Sequence, residues 1–258
     1  LILTLCVSSL SWAESTRIVS LGGGVTETVF ALGGGKNVVA VDVSSVYPPE
    51  ALAKPKVGYV RQTSAEGIAS LKPDLVIAPT YLGPPAVSVQ LKSAGVRLEM
   101  VPEAKSIEGA LNRIRAVGRI LNKNAEADAL ATSIQARIAE AQAHTKERAP
   151  ARVLFIFVHG GTAMQVAGKN TTANIMIQSA GAVNVVTEFD GYKPLSAEAL
   201  LAAKPDVILA TTRGLKAIGG AEGLWASPGL ALTPAGKKKA LVVMDDLKLL
   251  GFGPRMGD

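Results

Sequence analysis

The apolar positions of this chain fall into two rhythms. Short runs of consecutive apolar residues, as in RIVSL from Arg17, NVVAV from Asn37, DLVIA from Asp74, RVLFIF from Arg152 and DVILA from Asp206, are the pattern of strands covered on both faces. Between them lie helical stretches, two of which close on LGGGKN and SAGAVN, where glycine stops the helix before the next strand. Strand and helix alternate, so the expected fold class is α/β, with two Rossmann-like lobes built on mainly parallel sheets. Ligands of such sheets gather beyond the carboxyl ends of the strands.

Two lobes are expected because part of the pattern occurs twice. Aligned without a gap, Ser64 to Ala78 and Ser196 to Ala210 share Ser, Ala, Glu, Lys, Pro, Asp and Ala, and four further positions swap one branched aliphatic for another. Ordinary residue frequencies give about one identity in such a window, so the chain carries two copies of one unit. In each copy the serine caps a helix and the glutamate sits in its first turn, where the helix dipole favours an acid. The residue before proline resists the α region, which stops the helix near Lys72 and Lys204. The apolar run after the aspartate is the buried strand.

A different rhythm fills the middle of the chain. Ile107, Leu111, Ile114 and Val117 mark one helical face, and after NKN, Leu130, Ile134 and Ile138 recur at four-residue spacing. The stretch from Ala125 to Glu147 has no internal glycine or proline and predicts a helix roughly 35 Å long, one long rigid connector between the lobes. The expected organisation is an export-signal remnant at 1–13, an N-terminal lobe at 14–121, the connecting helix at 122–148 and a C-terminal lobe at 149–258.

Charge and composition narrow the chemistry. The opening LILTLCVSSLSWAES is too short to span a bilayer and stops at Ser11-Trp12-Ala13, a small-x-small pattern for signal peptidase near Ala13; an N-terminal strand is the alternative. Cys6 lies inside it, so the mature protein is expected in the periplasm with no disulfide. The net charge of +6 is scattered, with GKKKA at 236–240 as the one basic run, so nucleic-acid binding is not expected, whereas an anionic ligand suits the excess. LGGGVTETV at 21–29 lacks the third glycine of a dinucleotide loop, and no Ser-His-Asp order or His-Glu-x-x-His stands out among only two histidines. An enzyme is not expected, and His144 reads as solvated surface.

Three further stretches, VGYVRQTSAEGIASLKPDLV, HGGTAMQVAGKNTTAN and LLGFGPR, together with SAE…KPD in each lobe, resemble the substrate-binding proteins of ABC importers for siderophores, cobalamin and haem (class III), and more narrowly their periplasmic haem (hemin)-binding branch. The resemblance runs from about Arg17 to Arg255. It implies that Tyr59 is an axial ligand of haem iron, a hard phenolate oxygen suited to ferric iron, with Arg61 favouring the ionised phenol. A packed loop tyrosine is the alternative.

His159, at the end of a second-lobe strand, is either an opposing iron ligand or a strand-end histidine bonded to backbone. Tyr192 is the repeat's counterpart of Tyr59 and is expected as a wall on the porphyrin or a propionate partner. Arg213 and Lys169 are candidate propionate partners. The resemblance assigns Glu66 and Glu198 to docking on arginines of the membrane permease, one acid per lobe; a dipole-stabilised helix acid is the structural alternative.

The implied function is capture of haem as transported ligand in an inter-lobe cleft, by a monomer that serves an inner-membrane ABC permease and ATPase, with an outer-membrane haem receptor system as a further implied partner. A ferric siderophore or cobalamin on the same fold, or a nucleotide-dependent α/β enzyme, are the other readings. LLGFGPRMGD ends where the resemblance expects a further helix, so truncation is expected at both termini.

Overall fold

The computed structural model describes residues 16–158, 164–194 and 196–258. The export-signal remnant, Cys6 and His159 lie outside the described residues. The chain divides into two compact units, Leu1–Val101 and Pro102–Asp258. The helix after Val101 packs on the long helix and is grouped with the second unit.

The first unit runs β1 (Ile18–Ser20), α1 (Gly23–Ala31), β2 (Val38–Val41), α2 (Pro49–Leu52), α3 (Ala65–Ala69), β3 (Leu75–Pro79), α4 (Pro85–Ser93) and β4 (Arg97–Val101). Its sheet has the order β2-β1-β3-β4, and every pairing is parallel. All five residues of β3 are buried, as its unbroken apolar run requires. Val19, Val76 and Ala78 pack against Ile68 and Leu91 to form the core.

The second unit opens with α5 (Ile107–Ile120) and α6 (Asn124–Thr145). Leu111, Ile114 and Val117 are buried on α5 as their spacing predicts. On α6 the buried residues are Ala127, Ala131 and Ile134, with Leu130 and Ile138 half-buried, so the seam is lined by smaller side chains than the sequence suggested. The reason is Gly118 of α5, where any Cβ would collide with the Ala127 methyl: the two helices approach closely.

The unit continues through β5 (Arg152–Phe157), β6 (Gln165–Ala167), α7 (Thr172–Ser179), β7 (Val183–Asn184), β8 (Tyr192–Lys193), α8 (Ala197–Ala203), β9 (Val207–Thr211), α9 (Thr212–Ala217), α10 (Gly220–Trp225), α11 (Pro234–Lys238), β10 (Leu241–Met244) and α12 (Asp246–Leu250). Its parallel strands are ordered β7-β5-β9-β10, which repeats the first unit's order position by position. The registers agree as well: Ile18 pairs Leu75 in the first unit, and Val153 pairs Val207 in the second. An antiparallel ribbon, β6 against the end of β5 and β8 against β6, is added in the second unit alone. Along β5, Leu154 and Ile156 enter one core while Val153 and Phe155 enter another, so the sheet is covered on both faces.

The duplicated Lys-Pro-Asp has one mechanical role in both units. Lys72 and Lys204 take the left-handed conformation at φ 47° and 45°, which ends each helical segment before its proline. The carbonyls exposed there are taken by an arginine from the start of the first strand. Arg17 Nη2 donates to Leu71 O at 2.8 Å and Nε to Lys72 O at 3.1 Å. Arg152 Nη2 donates to Ala203 O at 2.7 Å and Nε to Lys204 O at 3.3 Å. The aspartate closes the lock by accepting from the arginine's own backbone N–H, Asp74 from Arg17 at 2.7 Å and Asp206 from Arg152 at 3.1 Å.

Candidate functional site

The C-terminal edge of the first unit's sheet collects the loops that follow β1, β2 and β3. The loop after β2 holds Tyr59 with 43% of its surface exposed, next to Val60 at 2%. Burial of Val60 plugs the loop into the core, so the neighbouring phenol is held outside it. The backbone is pinned on both sides: Val43 N–H donates to Gly58 O at 2.9 Å, Gln62 N–H to Tyr59 O at 2.7 Å, and Thr63 Oγ1 to Val57 O at 2.8 Å. Gly83, from the loop after β3, donates to Val60 O at 3.0 Å and accepts from Thr63 N–H at 3.1 Å. Arg61 lays its guanidinium over the Tyr81 ring, 4.1 Å from the centroid. Glu66 follows in the first turn of α3, under the Ser64 cap that accepts from Gly67 N–H.

Beneath this loop lies a buried carboxylate that sequence reasoning did not single out. Asp42, fully buried at the end of β2, accepts from Gly22 N–H at 2.9 Å, Ser44 N–H at 3.0 Å, Ser44 Oγ at 2.5 Å and Ser45 Oγ at 2.6 Å. Ser44 Oγ in turn accepts from Gly23 N–H at 3.0 Å. These are the first amides of α1, the place where a dinucleotide phosphate would bind. The protein's own carboxylate and hydroxyl occupy the Gly22 and Gly23 amides. Lys56 ties the same loop down through Ser45 O at 3.0 Å and Ala51 O at 2.9 Å, and burial lowers its pKa, with Asp42 opposing.

In the second unit the candidate residues are engaged differently. Tyr192 stands on β8, paired with Ala167, and its ring lies 5.2 Å from Phe157 and 6.4 Å from Phe155. Burial pushes its phenol up, against hydrogen bonds from the Ala173 backbone and the Thr171 side chain, so it stays protonated at neutral pH. Its hydroxyl is engaged at the start of α7 and its ring packs on Phe155 and Phe157. Lys169 is exposed on the turn that leads into the same ribbon, its backbone bonded to Phe189 O and Gly191 N–H. Arg213 begins α9 and pairs with Asp246 at 3.4 Å. Glu198 occupies the first turn of α8, and hydrogen bonds from its own backbone N–H and then from Ser196 hold its carboxyl below the usual glutamate range. His144 is exposed on α6.

Residues 18–247 match the Periplasmic binding protein family. The chain belongs to that family. Among solved structures, the periplasmic heme-binding protein RhuT from Roseiflexus sp. RS-1 is 44% identical at TM-score 0.90, with 95% of this chain and 94% of that one covered. The periplasmic heme-binding protein BhuT in complex with two hemes is 42% identical at TM-score 0.87, with the same coverage. The Cobalamin-binding protein of Halobacterium salinarum is 31% identical over 76% of this chain and 54% of its own. The chain spans 54 to 66% of the lengths of the first curated relatives it matches.

This periplasmic binding protein has the class III fold, mixed α/β with parallel sheets in two lobes. Its family consists of transport components that hold a cargo. No helix among the described residues is long and apolar enough to cross a membrane. Arg17, Arg152, Asp42 and Tyr81 are the working residues that the sequence reading missed. A usable signal existed for the arginines, since each opens the first apolar run of its unit and stands 55 or 52 residues before the Lys whose carbonyl it takes.

Proposed function

We propose that this chain is a periplasmic haem-binding protein that takes up ferric haem and delivers it to an inner-membrane ABC permease and its ATPase for iron uptake. The observation that carries the reading is Tyr59, an exposed phenol on a loop pinned at its base, in a chain similar over nearly its whole length to heme-binding proteins. The donor set suits this cargo. Among the described residues no group of three or more His, Cys, Asp or Glu could hold a bare metal ion. A porphyrin brings four nitrogen donors of its own, so one phenolate oxygen completes an iron site.

In this reading Tyr59 binds the iron and Arg61 favours the phenolate. His159 serves as second ligand or near neighbour, and Lys169 and Arg213 meet the propionates, Arg213 at the cost of its Asp246 pair. Tyr192 is a wall. Glu66 and Glu198, presented by equivalent capped helices, dock the permease, one from each unit. The protein is exported, with a signal peptide cleaved near Ala13, and acts as a monomer; an outer-membrane haem receptor system supplies it. No bond of the cargo is made or broken, so it is not an enzyme.

An absorbance titration with hemin tests this. A Soret shift with a phenolate-to-iron charge-transfer band, lost in Tyr59→Ala, is expected; an unchanged hemin spectrum overturns it. The second reading, cobalamin, is favoured by the 31% identity to a cobalamin-binding protein. Cobalamin brings its own axial ligands, so binding that survives Tyr59→Ala and is competed by cobalamin but not hemin selects it.

A further inference from the structure

Arg61 is fixed at both ends. At its backbone, Gly83 lies so close that an added Cβ would come 2.7 Å from the Arg61 carbonyl oxygen, and the preceding Val60 and following Thr63 are both bonded to Gly83. At its side chain, the guanidinium carbon stands 4.1 Å from the centre of the Tyr81 ring. Tyr81 is itself held: it is half-buried against the first unit's core, and its hydroxyl lies 3.7 Å from where a Gly22 Cβ would stand, beside the turn that Asp42 organises. Asp42, Gly22, Tyr81 and Arg61 thus lie in one neighbourhood of the first unit, with Arg61 two residues from Tyr59.

A free arginine side chain carries rotamer entropy that is lost each time it grips an anion. Stacking on a fixed ring removes part of that cost before the ligand arrives. We propose that Tyr81 is a positioning residue for ligand binding: its ring holds the Arg61 guanidinium at the mouth of the Tyr59 loop, set in advance for the anionic oxygen it meets. The ring does this and the phenol hydroxyl does not, so phenylalanine serves in its place while an aliphatic side chain fails. The inference rests on the haem reading for the identity of that oxygen, the iron-bound phenolate or a propionate, and on the contacts above for the clamp.

Two arms test it. In ligand-free protein, the Nε–Hε resonance of Arg61, assigned by its loss in Arg61→Gln, carries a ring-current shift that Tyr81→Phe keeps and Tyr81→Leu abolishes. With hemin, Tyr81→Leu raises the dissociation rate about three- to tenfold and shifts the charge-transfer band in the direction seen for Arg61→Gln, while Tyr81→Phe stays within about twofold of wild type. In the Tyr81→Leu, Arg61→Gln double variant the two losses are not additive.

Additive losses, or a Tyr81→Leu protein with unchanged dissociation rate and band, overturn the proposal. So does a Tyr81→Leu protein that folds, keeps its circular dichroism and retains the Arg61 shift. A wild-type protein that leaves the hemin spectrum unchanged refutes the haem reading instead, and the Arg61 resonance then decides the clamp separately.

Discussion

The two halves of this molecule agree where the backbone must be fixed and differ at the candidate ligand residues. Both sheets run second, first, third, fourth, in the same register, and both end a helical segment on a left-handed lysine locked by an arginine and an aspartate. The difference lies in the loop after the second strand. In the first unit that loop pairs with the sheet only through a bridge of Lys56 to Val41, and Tyr59 is exposed near an arginine stacked on Tyr81. In the second, the added ribbon draws the equivalent stretch into strand pairing, and Tyr192 turns its ring onto Phe155 and Phe157. A duplicated unit can keep its scaffold in both copies because the scaffold is local. On the proposed reading the ligand chemistry needs one hydroxyl with the right exposure, and Tyr192, paired in β8, is less exposed than Tyr59.

The sharpest way to break this comparison is to remove each hydroxyl in turn. Tyr59→Phe is expected to weaken hemin binding by about a thousandfold, beyond the roughly 10–100-fold of losing an outer partner of a metal ligand. Tyr192→Phe keeps its ring in the aromatic cluster and changes hemin affinity less than about threefold. It lowers the melting temperature instead, since the Thr171 and Ala173 bonds are lost. Equal losses of affinity in the two variants, measured by absorbance titration, would mean that both copies carry the ligand chemistry.

Much of the scaffold was legible because it rests on periodicity. The buried runs at 75–79 and 207–211, the helical face of α5 and the long α6 are short-range consequences of residue type and spacing. The site was legible only through resemblance: that Tyr59 is exposed and Tyr192 half-buried depends on strand pairing between β6 and β8, which no local pattern announces. Asp42 was invisible for a related reason. An aspartate after an apolar run reads as a loop acid, and its burial emerges only once the glycine turn, Ser44 and Ser45 fold around it.

Asp42 supplies the next largest effect and belongs to the first unit. Replacing it with alanine strands the Gly22 and Ser44 amides and two serine hydroxyls in the interior. The expected cost is about 3 kcal/mol, measured by urea unfolding, since each buried donor left without a partner costs about 1–3 kcal/mol and neighbours relax in part. Hemin affinity should fall with it if the turn, which lies beside the Tyr81 hydroxyl, supports the Arg61 stack. A variant that loses stability but keeps full affinity would show that the network serves folding alone.

The smallest effect is the most exacting test of equivalence. Arg17 and Arg152 make the same three kinds of bond to the same three places of their units, and both side chains are exposed. Exposure limits each arginine to about 1 kcal/mol, because water replaces much of what the alanine variant loses. If the lock is one device used twice, Arg17→Ala and Arg152→Ala lower stability by the same amount within about 0.5 kcal/mol, and the double variant loses their sum, as for distant sites with no shared partner. A large excess in one unit would instead locate the weaker scaffold. The second unit is the one to watch, since there the arginine lies on the strand that must hold both its parallel neighbours and the antiparallel ribbon.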